Sequence, residues 1–144
     1  MKLINLSKYA GLWFEIDKFQ QNFENDCHHA SALYKLKNDH VSVENVCYDE
    51  NWVPIRKING VAIQLENNKF NVSFQGVPQS NNLKEANYII LATDYVNYSV
   101  VGSENKNSLW ILSRNKYLDF QIYKNIVNFC KEFGYDVSRL QKNV

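Results

Sequence analysis

The chain has 144 residues, 16 Lys and Arg against 15 Asp and Glu, and a formal net charge of +1. That length suits one ordinary domain that buries about two thirds of the surface its unfolded form exposes. A near-neutral balance of interspersed charges excludes binding to nucleic acid driven by counterion release, and 14% aromatic residues with 5 Gly and 2 Pro exclude disorder.

Taken in order, residues 1–6 carry one positive charge but neither an apolar core nor a small-residue cleavage site, so they do not read as a signal peptide. No lipobox cysteine stands near the start, so an acyl anchor is not inferred for this segment. From Gly11 the apolar residues recur with period two between Asn, Asp and Gly clusters, the signature of strands. Strands are expected at 11–19, 28–37, 40–48, 53–65, 70–75, 86–93, 98–103 and 108–114. Short connections make sequential neighbours antiparallel hairpins. With no helix between strands to cover it, such a sheet removes its edges by closing into an eight-stranded up-and-down β-barrel.

After Arg114 the period changes. Asp119 is an N-cap candidate, Ile122, Ile126, Phe129, Cys130 and Phe133 follow at helical spacing, and Gly134 stops the run. One helix over 119–133 is expected on the outside of the barrel, followed at 136–140 by a short extra strand or tail. The whole of 1–144 is read as one unit.

Three short stretches are more specific than this pattern. Gly11 and Trp13 open the first strand within Tyr9-Ala10-Gly11-Leu12-Trp13-Phe14; Thr93-Asp94-Tyr95 sits at the sixth turn; and Trp110-Ile111-Leu112-Ser113-Arg114 ends the eighth strand. Together they resemble the three motifs of the lipocalins, and most nearly the branch holding bacterial outer-membrane lipocalins and apolipoprotein D. The resemblance implies that Gly11, Trp13, Thr93, Asp94, Tyr95 and Arg114 form a structural barrel floor, with the Arg114 guanidinium on the Trp13 indole. It also implies that the lumen carries a small hydrophobic ligand such as a fatty acid or lysophospholipid, in a secreted, periplasmic or outer-membrane-associated protein with peripheral membrane association. Strand directions put all three motifs at one end. The loops 20–27, 48–52, 75–85 and 103–107 then surround the mouth at the other.

With Trp13 inward, alternation assigns the faces. Strand one points Trp13, Glu15 and Asp17 in, and Phe14 and Ile16 out, where the helix could pack on them. The expected ligand-binding lumen is Ala32, Tyr34, Val43, Asn45, Ile58, Gly60, Ala62, Phe70, Val72, Phe74, Tyr88, Ile90, Ser99, Val101 and Trp110; His28, Ala30, Leu36, Val41, Cys47, Ala92, Leu112 and Arg114 share its inward faces. Small residues such as Gly60 and Ala62 favour a cavity over a filled core. Large aromatics meeting across the lumen would favour the opposite, an interaction module with a filled barrel.

No cofactor, metal or catalytic residue is assigned. Cys27-His28-His29 is dense in donors, but neighbouring strand residues face opposite ways, so the imidazoles do not converge. Glu15 reads as a counter-charge to Arg114 rather than a general acid. A disulfide between Cys27 and Cys47 is conceivable, but the expectation is three reduced, partly buried thiols, Cys130 included. The prostaglandin D synthase type of lipocalin holds its catalytic thiol within strand two, where this chain reads Ala30-Ser31-Ala32-Leu33-Tyr34. A lipid-modifying enzyme would have to rely on Cys47 beside Asn45.

Overall fold

The computed structural model describes residues 3–19, 27–76 and 85–142. Its eight principal strands are β1 (Gly11–Phe19), β2 (His29–Leu36), β3 (Val41–Tyr48), β4 (Pro54–Glu66), β5 (Lys69–Phe74), β6 (Tyr88–Thr93), β7 (Tyr98–Gly102) and β8 (Leu109–Ser113). Each pairs antiparallel with the next, and β1 pairs with both β2 and β8, which closes the barrel. Every strand lies within two residues of the bounds expected from the alternation.

A helix, α2 (Phe120–Glu132), packs outside. The Asp119 carboxylate accepts from the Gln121 and Ile122 amides, and Gly134, at φ 103°, turns the chain so that the Tyr135 amide donates to Cys130 O at 3.0 Å. The tail then makes a 3₁₀ turn, Val137–Arg139, and a ninth strand, β9 (Leu140–Lys142). β9 starts later than the tail suggested and pairs with β1 over Asp17–Phe19, beyond the point where the pairing of β1 with β2 ends at Phe14.

Burial divides into two cores. One fills the lumen around Trp13, Tyr34, Val43, Phe70, Ile90, Val101 and Leu112. The other lies between the barrel and α2, around Phe19, Val100, Leu109, Ile111, Ile126 and Cys130. Period two decides which residues enter which core, except where a bulge inserts an extra residue and slips the alternation. Two expected faces fail for this reason. On β1 the register jumps from Glu15 opposite Leu112 to Asp17 opposite Ile111, so Asp17 faces α2 instead of the lumen, and Tyr123 donates a short hydrogen bond to its carboxylate. On β6 the jump from Ile90 to Ala92 likewise turns Ala92 to the helix side.

The outward pair on β1 also separates. Ile16 packs into the helix-side core, whereas Phe14 is covered by Trp52 from the turn between β3 and β4, ring edge to face at 5.7 Å. The Asp49 carboxylate accepts from the Asn51 and Val53 amides, holding that turn with Trp52 at φ 63°. The indole stacks on His29 at 4.0 Å, with Lys116 Nζ 4.3 Å above it.

Candidate functional site

The floor is built where three strand ends meet. Trp13 is wholly buried, and its Nε1 donates to Tyr9 O at 2.8 Å. The Arg114 guanidinium lies 3.7 Å over the indole and donates to four carbonyls: Tyr95 O at 2.9 Å, Leu12 O at 3.0 Å, Lys8 O at 2.8 Å and Tyr9 O at 3.1 Å. Gly11 sits at φ 109°, and a Cβ there would come within 3.3 Å of Arg114 Nη1.

The turn between β6 and β7 completes this end. Asp94 Oδ1 accepts from the Val96, Asn97 and Tyr98 amides, while Thr93 Oγ1 donates to Tyr98 O and accepts from the Tyr95 amide. Partial burial works against ionising Asp94, but these donors win and hold its carboxyl below the usual range. Arg114 therefore answers carbonyl groups, and Glu15 is not its counter-charge: Glu15 Oε1 lies 3.7 Å from Lys18 Nζ.

A segment with no place in the expected elements lies across this floor. The short helix α1 (Leu6–Tyr9) is capped by Asn5, whose side chain accepts from the Lys8 amide. It is tied down by the Ile4 amide to Asn67 Oδ1 at 2.7 Å and the Asn5 amide to Tyr95 Oη at 3.0 Å. Its one turn is too short to show periodicity, although Asn5 before an apolar residue is a cap signal.

Above α1 lies an apolar cavity lined by Leu6, Tyr9, Ala10, Tyr34, Leu36, Val41, Ala62, Phe70, Val72, Tyr88 and Ile90. Its volume is ≈ 20 Å³, room for about one water. Tyr34, Ala62, Phe70, Val72, Tyr88 and Ile90 thus meet around one space; Leu6, Tyr9 and Ala10 join them without having been expected there.

The remaining expected lumen residues face the same interior without walling this cavity. Trp13, Ala32, Asn45 and Ile58 form one register row, as do Tyr34, Val43, Gly60 and Phe74. Ser99 lies opposite Leu112, and Val101 opposite Trp110. Gly60 does not border empty space as expected: a Cβ there would fall 2.7 Å from Phe74 Cδ1 and 2.7 Å from Ser73 O. The ring of Phe74 uses the room that the glycine leaves.

Polar groups inside are few. Tyr9 Oη lies 2.7 Å from Tyr88 Oη and 2.8 Å from Ser99 Oγ, and the Tyr34 ring packs on both tyrosines. Burial pushes the Tyr9 hydroxyl up to about 12 and those of Tyr34 and Tyr88 upward as well, so all three stay neutral near pH 7. The β1 bulge brings Glu15 and Lys18 to the luminal side together.

At the opposite end, residues 20–26 and 77–84 of the expected mouth loops lie outside the described residues. Cys27 and Cys47 are joined by a disulfide, which corrects the expectation of three thiols and leaves Cys130 free and buried. Chain separation hid this pairing: Cys27 precedes β2, and the register that sets Ala30 opposite Cys47 brings it within reach. With Cys27 so engaged and His29 stacked under Trp52, the Cys27-His28-His29 donors are directed to different partners.

A family model described as "Lipocalin-like domain" matches residues 4–144. The chain is 29% identical over 141 residues to "Outer membrane lipoprotein Blc" of Vibrio cholerae, covering 94% of this chain and 79% of that protein. It is 30% identical over 145 residues to apolipoprotein D of Cavia porcellus, covering 94% and 74%. Among solved structures, insecticyanin from the tobacco hornworm Manduca sexta superposes with a TM-score of 0.75 at 26% identity, over all of this chain and 82% of that one. Lobster apocrustacyanin A1, at 20% identity and a TM-score of 0.72 over 97% and 79%, shares the fold. A closed barrel whose floor joins Gly11, Trp13, Asp94 and Arg114, matched by that family model over nearly its full length, places this chain in the lipocalin family.

Proposed function

We propose that the protein binds and carries a small hydrophobic ligand in the barrel lumen, a fatty acid, lysophospholipid or similar lipid being the class that fits. The observation behind this is the apolar cavity walled by Ala62, Phe70, Val72, Tyr88 and Ile90. Its relatives are lipocalins, a family of binding proteins. An acyl chain gains about 0.8 kcal/mol for each methylene it buries, so useful affinity needs no special chemistry. The space is narrow, so a long chain enters by displacing side chains, of which Tyr34, Phe70 and Tyr88 border it. A carrier role also suits the luminal chemistry: Cys47 is held in a disulfide, and the tyrosine hydroxyls are un-ionised. The disulfide, with relatives that include an outer-membrane lipoprotein, supports a secreted, periplasmic or outer-membrane-associated location.

The same narrowness favours a second reading, a filled barrel that serves as an interaction module. Displacement of a fluorescent fatty acid from wild type and Ala62→Leu separates the two. In a carrier the variant folds and loses tenfold or more in affinity, about 1.4 kcal/mol. In a filled barrel wild type never binds the probe, and the larger side chain overpacks the core at about 1–3 kcal/mol of stability.

A further inference from the structure

The cavity belongs to the closed end of the barrel. Leu36, Val41, Ala62 and Val72 form the last register row that β2 to β5 share on the floor side, and all four border it. In the next row toward the mouth, Tyr34, Val43, Gly60 and Phe74, only Tyr34 does. Val43 is buried there and the Phe74 ring stands against Gly60, so packed side chains separate the cavity from the mouth.

On the floor side the cover is α1, from which Leu6 and the following Ala10 reach the cavity. Hydrogen bonds hold this segment on three sides. The Ile4 amide donates to Asn67 Oδ1 in the turn between β4 and β5, the Asn5 amide donates to Tyr95 Oη in the turn between β6 and β7, and Arg114, just after β8, donates to Lys8 O and Tyr9 O. On the fourth side, toward the turn between β2 and β3, no hydrogen bond among the described residues joins residues 3–10 to residues 36–41. The pairing of β1 with β2 stops at Gly11 opposite Tyr34, so Leu36 has no strand beside it there. Leu36 lines the cavity and is nevertheless 43% exposed, which brings the cavity to the surface at this gap.

We propose that the ligand enters and leaves through the closed end, between α1 and the β2–β3 turn, with residues 3–8 as a strap that lifts about Tyr9. This rests on the carrier reading of the lumen and adds the route to it. Tyr9 suits a pivot because it is buried and fixed at both ends: its carbonyl accepts from Trp13 Nε1, and its hydroxyl is bonded to Tyr88 and Ser99. A single turn of helix with few buried contacts is the kind of segment that opens locally while the rest of the fold stays intact. Lifting it withdraws Leu6 from the cavity and widens the gap beside Leu36.

The test is stopped-flow exchange of a fluorescent fatty acid on wild type, Asn67→Ala and Tyr95→Phe. Each variant removes one acceptor that holds the strap shut, and neither side chain lines the cavity. The bond is present in both the free and the loaded protein and is broken only while the strap is lifted. Association and dissociation therefore both quicken by about threefold or more, as loss of one hydrogen bond allows, and Kd stays the same. Lys106→Met, which frees the mouth loop between β7 and β8 from Phe133 O, leaves both rates at the wild-type value. Tyr95→Phe keeps the ring in place and carries the comparison if Asn67→Ala disturbs its own turn. Unchanged rates in both strap variants, a weaker Kd with unaltered association, or faster exchange in Lys106→Met overturns the route while leaving the carrier reading standing. A wild type that never binds the probe overturns both.

Discussion

Replacing Arg114 with alanine tests the floor most directly. Its side chain makes four hydrogen bonds to carbonyl oxygens, of which those to Tyr95 and Tyr9 are partly buried and those to Leu12 and Lys8 are exposed. A hydrogen bond from a charged donor contributes about 1.5–3 kcal/mol where water is excluded, and an exposed one exchanges with water at little cost. Taking the low end for the two partly buried bonds gives about 3 kcal/mol. Stacking on the fully buried Trp13 ring adds about 0.5–1 kcal/mol. Water that enters to serve the freed carbonyls returns part of this, so Arg114→Ala is expected to lose about 3 kcal/mol. Arg114→Lys keeps the charge but not the planar fork, which alone can reach Tyr95, Leu12 and Lys8 together, and should lose about half as much. Urea titrations followed by tryptophan fluorescence measure both variants. If Arg114→Ala unfolds within about 1 kcal/mol of wild type, the three motifs do not act as one floor.

Three further outcomes follow from particular contacts. Gly60→Ala should cost about 1–3 kcal/mol, because the new Cβ meets the Phe74 ring and Ser73 O; a variant as stable as wild type in thermal unfolding would show that the ring yields freely. Reducing the Cys27–Cys47 disulfide, which closes a separation of 20 residues, should cost about 3 kcal/mol, read as the difference in urea midpoint with and without a phosphine reductant and absent in a Cys27→Ser, Cys47→Ser double variant. His29 holds its proton less well than an ordinary histidine, first because it is partly buried under Trp52, then because His28 and Lys116 are near, with Glu50 and Asp49 opposing. A depressed histidine contributes stability that is present above the unfolded value of about 6.5 and is lost as pH falls through the folded one. Wild type should therefore lose more stability between pH 7.5 and pH 5.0 than His29→Gln does, and parallel losses would contradict this.

Much of the architecture is local in origin and so was legible in the chain. Alternation placed eight strands because each strand has one face in a core, and helical spacing from Ile122 to Phe133 between Asp119 and Gly134 marked α2, since cap, apolar stripe and stop are all short-range signals. Trp13, Thr93-Asp94-Tyr95 and Arg114 pointed to the floor through the resemblance they carry, and they do meet there. Other features arise only when distant segments are brought together. A bulge is a property of two strands, so the turn of Asp17 and Ala92 toward α2 cannot be read from either strand alone. The disulfide needed the β2–β3 register, and the cover over Phe14 needed Trp52 to fold back across β2. Whether a glycine leaves a void or makes room for a neighbour is likewise decided across strands: Gly60 yields its space to Phe74, fourteen residues on, while Ala62 keeps its own open to the cavity. Sequence sets each residue's face through its neighbours in the chain; tertiary structure sets what stands opposite, and that determines volume and pairing.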